Sequence, residues 1–280
     1  MSTTPSHPLS IYSLWAINDA LDERRLCHQL DEMHGYGFDG VVWHPRFYPG
    51  TPPYLSPEYL RIVSHVILHA RDLGLRFWIY DENGWPSGVA GGELLRQYPE
   101  DAGGLLTLHE GDAEDAWHRF SAQGKPWHLR LLRTSEIDYL NPAACAHFLE
   151  LVHDRYRSGL DPEAWAYVEA FFTDEPEFGL GVNIDKIPPH GGISWSPILP
   201  ELYQRCFARD IRDDLPAIFL NATDGSHEAT RIRFWEFMTD RLCEGFFQPY
   251  QAWCRRESKL FSGHLKGDEH PLFQVMLNGS

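Results

Sequence analysis

The sequence predicts an α/β chain of the (β/α)8 TIM-barrel type, incomplete, with about five strands visible. Three observations carry this. Apolar runs rich in β-branched and aromatic residues alternate with amphipathic helical stretches. The first strand, helix and second strand fit within about 35 residues, the size of a parallel βαβ unit. Five successive runs end in ionisable residues, where parallel α/β folds place their sites.

Residues 9–16 form the first strand, with Trp15 near its end and Asn18 just beyond. Residues 21–35 place Leu26, Leu30 and Met33 at helical spacing, and Gly35 supplies a stop. Residues 38–43 are the second strand, closing on His44-Pro45-Arg46. After a proline-rich loop, Ser56 is an N-cap with Pro57 at the first helical position. Residues 58–73 form the helix, and Gly74 ends it. The third strand, Phe77-Trp78-Ile79-Tyr80, is apolar enough to be buried on both faces. It ends in Asp81 and Glu82, then in Asn83-Gly84-Trp85-Pro86-Ser87-Gly88, which no strand or helix can continue through.

Residues 93–140 break the rhythm and read as a hairpin-like insertion resting over the barrel mouth, with short strands at 105–109 and 128–132. Asn141 and Pro142 then start a helix with its body at 143–157. Residues 164–173 are a fourth strand ending in Asp174-Glu175-Pro176-Glu177. Residues 178–196, including Trp195, form a polar rim loop. Residues 197–207 and 231–257 are helical, and 260–265 form a fifth strand ending at His264, with Asp268 and Glu269 after it. A whole barrel takes eight strands in roughly 250 residues or more. Residues 1–280 therefore read as a single barrel domain or a fragment of one.

Composition excludes more than it identifies. A formal charge of −16 argues against nucleic acid or an anionic membrane surface as partner, since either calls for a basic face. Five scattered cysteines never form a CxxC pair, which excludes a zinc ribbon or a disulfide framework. Cys27, Cys145, Cys243 and Cys254 fall in helical patterns and read as small buried hydrophobes. The N-terminal MSTTPSHPLS shows no signal peptide, and no apolar run approaches a membrane span, so a cytoplasmic location is expected. Ten tryptophans suit sugar faces and suit a core equally.

In a parallel sheet the strand ends converge on one crevice. They bring together Trp15, Asn18, His44, Arg46, Asp81, Glu82, Asp174, Glu175, His264 and Glu269. Each has a plainer reading. Glu175, among Phe171, Phe172 and Phe178, is expected to have a raised pKa suited to proton donation, or it caps the next segment. Glu82 is a second carboxylate, a hydroxyl acceptor or a cation ligand. His44 and His264 bind substrate or metal, or are structural. Arg46 pairs with Asp81 or with Glu175. Trp85 and Trp195 stack on a sugar or pack.

The stretches Trp78-Ile79-Tyr80-Asp81-Glu82-Asn83-Gly84-Trp85-Pro86-Ser87-Gly88-Val89-Ala90-Gly91-Gly92, Phe172-Thr173-Asp174-Glu175-Pro176 and Ser262-Gly263-His264 together resemble the catalytic barrel of large bacterial glycoside hydrolases. The resemblance is to those akin to the family 106 α-L-rhamnosidases and covers only their N-terminal portion. It implies hydrolysis of a glycosidic bond by paired carboxylates, a carbohydrate substrate and calcium at the site. It assigns Glu175 as general acid, Glu269 as base or cation ligand, and Glu82 as a substrate or cation contact. Two rivals stand beside it: a non-catalytic or vestigial sugar-binding module, and a metal-dependent hydrolase using His44, His264 and Asp81.

Overall fold

The computed structural model describes residues 10–176 and 192–265. The chain opens as β1 (Tyr12–Ala16), α1 (Glu23–Gly35), β2 (Gly40–His44), α2 (Pro57–Leu73) and β3 (Arg76–Tyr80). It continues with α3 (Glu93–Gln97), β4 (Ala102–Glu110), β5 (His118–Ala122), β6 (Lys125–Ile137) and α4 (Pro142–Phe148). Then come α5 (Asp154–Gly159), α6 (Pro162–Tyr167), β7 (Val168–Asp174), β8 (Gly192–Trp195), α7 (Leu199–Phe207) and α8 (Ile211–Phe219). The last elements are α9 (His227–Leu242), α10 (Gln248–Arg256) and β9 (Leu260–His264). Two compact units emerge: residues 1–91, 149–174 and 253–264, and residues 92–148, 175–252 and 265–280.

The first unit holds five strands, all parallel, in the order β1-β2-β3-β7-β9. Its helices start and stop where local chemistry requires. Asp22 caps α1 by accepting the Arg25 N–H, and Ser56 does the same for α2 through Tyr59 N–H. Gly74 closes α2 at φ +76°, a left-handed conformation that glycine enters without a Cβ clash. One sheet face packs on helices: Phe171 meets His153, Trp165 and Trp253 with ring centroids 4.7, 6.0 and 5.4 Å away. The other face carries a smaller apolar cluster of Val42, Tyr80 and Phe172, with Tyr12 and Trp78 against it. Strand parity assigns alternate residues to these faces. Gly263 lies so close to β7 that an added Cβ would stand 2.1 Å from Thr173 O, so only glycine fits that pairing.

The second unit is built on an antiparallel sheet of order β5-β6-β4-β8. Residues 93–140 thus supply three strands where two short ones are expected, and β6 runs on past residue 132 through a largely exposed segment to Ile137. Gly245 lets the π-helical turn Cys243–Phe247 approach Tyr139, where a Cβ would lie 2.4 Å from the carbonyl oxygen.

Several expectations need correction. The fourth strand begins at Val168 and not at residue 164, because Asp161 caps a short helix with Pro162 in its first turn. Trp195 is not in a rim loop: it ends β8, pairs with Gly104 and is buried. The helix at 211–219 was not anticipated; Asp210 caps it. Cys145 and Cys254 are buried as expected, whereas Cys27 and Cys243 are only half-buried. Among the described residues, no helix is long and apolar enough to cross a membrane. A closed eight-stranded barrel is not what the described residues form; they give five parallel strands.

Candidate functional site

The C-terminal ends of β1, β2, β3, β7 and β9 lie along one edge of the parallel sheet, since all five strands run the same way. The loop after β3 is fixed from within. Glu82 is fully buried, and its Oε2 accepts the Gly88 and Ala90 N–H groups at 3.1 and 2.8 Å. Its Oε1 accepts the Gly91 N–H at 2.6 Å. Burial pushes the Glu82 carboxyl up to about 7, and the backbone donors pull in the opposite direction. Gly91 at φ +65° supplies the left-handed residue that turns these amides onto one carboxylate.

Ser87 ties this loop to β7. Its hydroxyl donates to Asp81 Oδ1 at 2.6 Å and accepts the Asp174 N–H at 2.8 Å. Its own N–H donates to Asp174 O at 2.8 Å. Asn83 joins the loop to the one after β2 by accepting the Tyr48 N–H at 3.1 Å.

His44, Asp174 and His264 share the parity of Val42, Tyr80 and Phe172. His44 is 6% exposed, its ring centroid is 4.1 Å from that of Tyr80, and its Nε2 has no hydrogen-bond partner. Burial, aided by the Arg46 charge and opposed by Asp174, brings His44 down to about 4, so the ring is neutral at pH 7. The Tyr80 hydroxyl lies 3.1 Å from Asp174 Oδ2 and 3.0 Å from Gly84 O, and donates its proton to one of them. Asp174 also has Arg46 Nη1 at 3.8 Å and His264 Nδ1 at 3.6 Å. The Arg46 guanidinium lies 5.1 Å from the Trp85 ring centroid and 5.5 Å from that of Phe47.

The structure therefore brings together His44, Arg46, Asp174, His264 and Trp85, with Asp81 and Glu82 buried beside them. Arg46 lies 3.8 Å from Asp174, a partner other than the two expected, Asp81 and Glu175; Asp81 follows Tyr80 by one residue and takes the opposite side. Trp15 also has the wrong parity: its indole N–H donates to Gln29 of α1 at 3.1 Å and its ring packs on Trp43. Asn18 is exposed in the loop after β1. Glu175 is half-buried directly after β7, at φ +52°, a left-handed conformation uncommon outside glycine. Trp195 belongs to the second unit, where it meets Trp117 at 4.8 Å. Glu269 lies outside the described residues. Ser87 and Tyr80, which bond Asp81 and Asp174, are not singled out by the pattern of ionisable strand ends.

The arrangement combines a carboxylate acceptor, a guanidinium donor and a neutral imidazole able to do both. Calcium takes roughly six to eight oxygen ligands. Among the described residues no three His, Cys, Asp or Glu side chains converge enough to hold a metal ion, and the Glu82 oxygens already accept three amides. These residues do not fit calcium. Nor do His44, His264 and Asp81 form the ligand group that a metal-dependent hydrolase needs.

The sequence matches no protein-family model and no curated protein. The fold is similar to that of a rhamnosidase from Novosphingobium sp. PP1Y, with a TM-score of 0.60 and 11% identity over 94% of this chain. This chain spans about half of that one, 46% of its length. A GH36 alpha-galactosidase from Geobacillus stearothermophilus aligns at a TM-score of 0.38 and 15% identity, over 92% of this chain and 28% of that one, too slight a likeness to use. At such identities the similarity concerns the fold.

Proposed function

We propose that this chain is a carbohydrate-active domain of glycoside hydrolase type, cleaving a glycosidic bond with paired carboxylates. The observation that carries the reading is the set of His44, Arg46 and Asp174 on the C-terminal edge of five parallel strands. Donors and acceptors suited to sugar hydroxyls meet there, in a fold similar to that of a rhamnosidase. In this reading Glu175 gives a proton to the glycosidic oxygen as the bond breaks, and Glu269 takes one from the attacking water. Carboxyl groups roughly 6.5–9.5 Å apart would invert the anomeric centre, and groups about 5–5.5 Å apart would retain it. Trp85 and His264 border the sugar, while Asp81 and Glu82 hold the loop that shapes its seat. The left-handed backbone at Glu175 supports a working role, since such conformations concentrate where side chains are held for function.

The test is sugar release from a panel of methyl glycosides and disaccharides, whose alkoxide leaving groups need a proton, by the full chain and by Glu175→Gln. Turnover by the wild type, reduced at least about a hundredfold in the variant, is expected for loss of a general acid. Sugar binding without turnover supports the second reading, a non-catalytic module. The burial of Asp81 and Glu82 favours that second reading, since neither acid is open to a substrate.

A further inference from the structure

We infer that Phe47 is a platform for a second sugar unit, so that this edge takes an oligosaccharide and not a single sugar; the inference rests on the carbohydrate reading above. Phe47 lies three residues past the end of β2 and is 68% exposed. A single exposed apolar side chain is common and means little by itself. This one stands on a turn that is pinned on either side. Tyr48, the next residue, is buried; its N–H donates to Asn83 Oδ1 at 3.1 Å and its carbonyl accepts from Asn83 Nδ2 at 3.4 Å. Its hydroxyl donates to Pro52 O. Arg46, the residue before, has Nη1 3.8 Å from the buried Asp174. Of these three residues, Phe47 is the one that solvent reaches most.

The neighbours define what the ring awaits. The Arg46 guanidinium lies 5.1 Å from the Trp85 ring centroid and 5.5 Å from that of Phe47. It takes one face of the Phe47 ring and leaves the other to solvent. Aromatic faces carry negative charge, and the C–H bonds on a sugar face point slight positive charge at them. The hydroxyls around the same sugar can accept from the guanidinium, which only donates. A protein partner calls for a contiguous apolar patch, which Phe47 between Arg46 and the buried Tyr48 does not supply. One pyranose covers one aromatic ring, so half-buried Trp85 and exposed Phe47, flanking one guanidinium, make two seats. Because the turn is held before any ligand arrives, little ordering is needed when the second unit binds.

The experiment is calorimetric titration of the full chain with methyl thioglycosides of hexoses and 6-deoxyhexoses, and with thio-linked disaccharides carrying the same sugar at the non-reducing end. The sulfur linkage resists cleavage, so binding is read without turnover. The wild type should bind a disaccharide at least about tenfold tighter than the matching methyl thioglycoside. Phe47→Ala should lose about tenfold on the disaccharide and no more than about twofold on the methyl thioglycoside. Phe47→Trp, which keeps a ring face, should hold the disaccharide within about threefold of the wild type. Phe47→Leu, which still covers Arg46 but has no ring face, should recover little of the loss, and it carries the same comparison if Phe47→Ala fails to fold. Equal affinity of the wild type for both ligands, unchanged disaccharide binding in Phe47→Ala, or the same loss on both ligands would overturn the inference and leave the carbohydrate reading standing. A wild type that binds no sugar overturns both.

Discussion

Glu82 Oε1 accepts the Gly91 N–H at 2.6 Å, so a carboxylate just past the end of β3 fastens the far side of its own loop. With Gly88 and Ala90 on the other oxygen, the Glu82 side chain takes the place that water fills around an exposed turn.

Glu82→Gln should loosen this loop. The amide keeps one acceptor oxygen and turns its NH2 toward backbone donors, leaving at least one buried N–H unsatisfied at about 1–3 kcal/mol. Amide hydrogen exchange should accelerate at Gly88, Ala90 and Gly91 before the rest of the sheet. Uniform protection across the loop would refute the assignment.

The same group sets a pH dependence. Its folded value of about 7 exceeds its ordinary 4.5, so between these limits the folded protein holds a proton that the unfolded chain has released. The contribution is fully present below 4.5 and is lost as pH rises toward 7. Stability of the wild type relative to Glu82→Gln should therefore fall across that window, as read from urea midpoints at several pH values. A rising difference contradicts it.

Ser87→Ala removes the donor to Asp81 and the acceptor of the Asp174 N–H in one step. A destabilisation of about 1–3 kcal/mol is expected, because both groups are buried. Ser87→Thr, which keeps the hydroxyl, should recover part of it. Equal losses in both variants would mean that the hydroxyl is not the connection.

Lys259 offers the opposite sign. Its ammonium donates to Trp165 O and Val168 O at 2.6 and 2.7 Å, over the Trp165 ring, and burial lowers it from 10.5 to about 8. Between about 8 and 10.5 the unfolded chain holds the proton that the folded one has lost, so stability from this group rises with pH. Wild type should gain on Lys259→Met as pH climbs through that range, in thermal unfolding followed by circular dichroism.

Much of the sheet was legible because its signals are local. Ser56, Pro57 and Gly74 bound α2 by capping chemistry, and the apolar run ending at Tyr80 gives β3 almost to the residue. What failed depends on parity or on long-range pairing. Trp15 sits one residue away from the inner face, and Trp195 becomes a strand residue only by pairing with Gly104. The helix at Pro162–Tyr167 was lost because its aromatic and alanine residues continue the apolar run of β7 without a break. Asp81 and Glu82 were legible as a pair at a strand end. Their burial depends on a loop folding back through Ser87 and Gly91, which no spacing in the sequence announces.

The central claim is that the edge bearing His44 and Asp174 holds a sugar. A crystal structure of the chain soaked with the methyl glycoside that binds in solution tests it most directly. The account predicts a sugar seated against Trp85, Arg46 and His264, the more open side chains of this edge. A sugar seated elsewhere on the molecule, with this edge empty at saturating ligand, would contradict it.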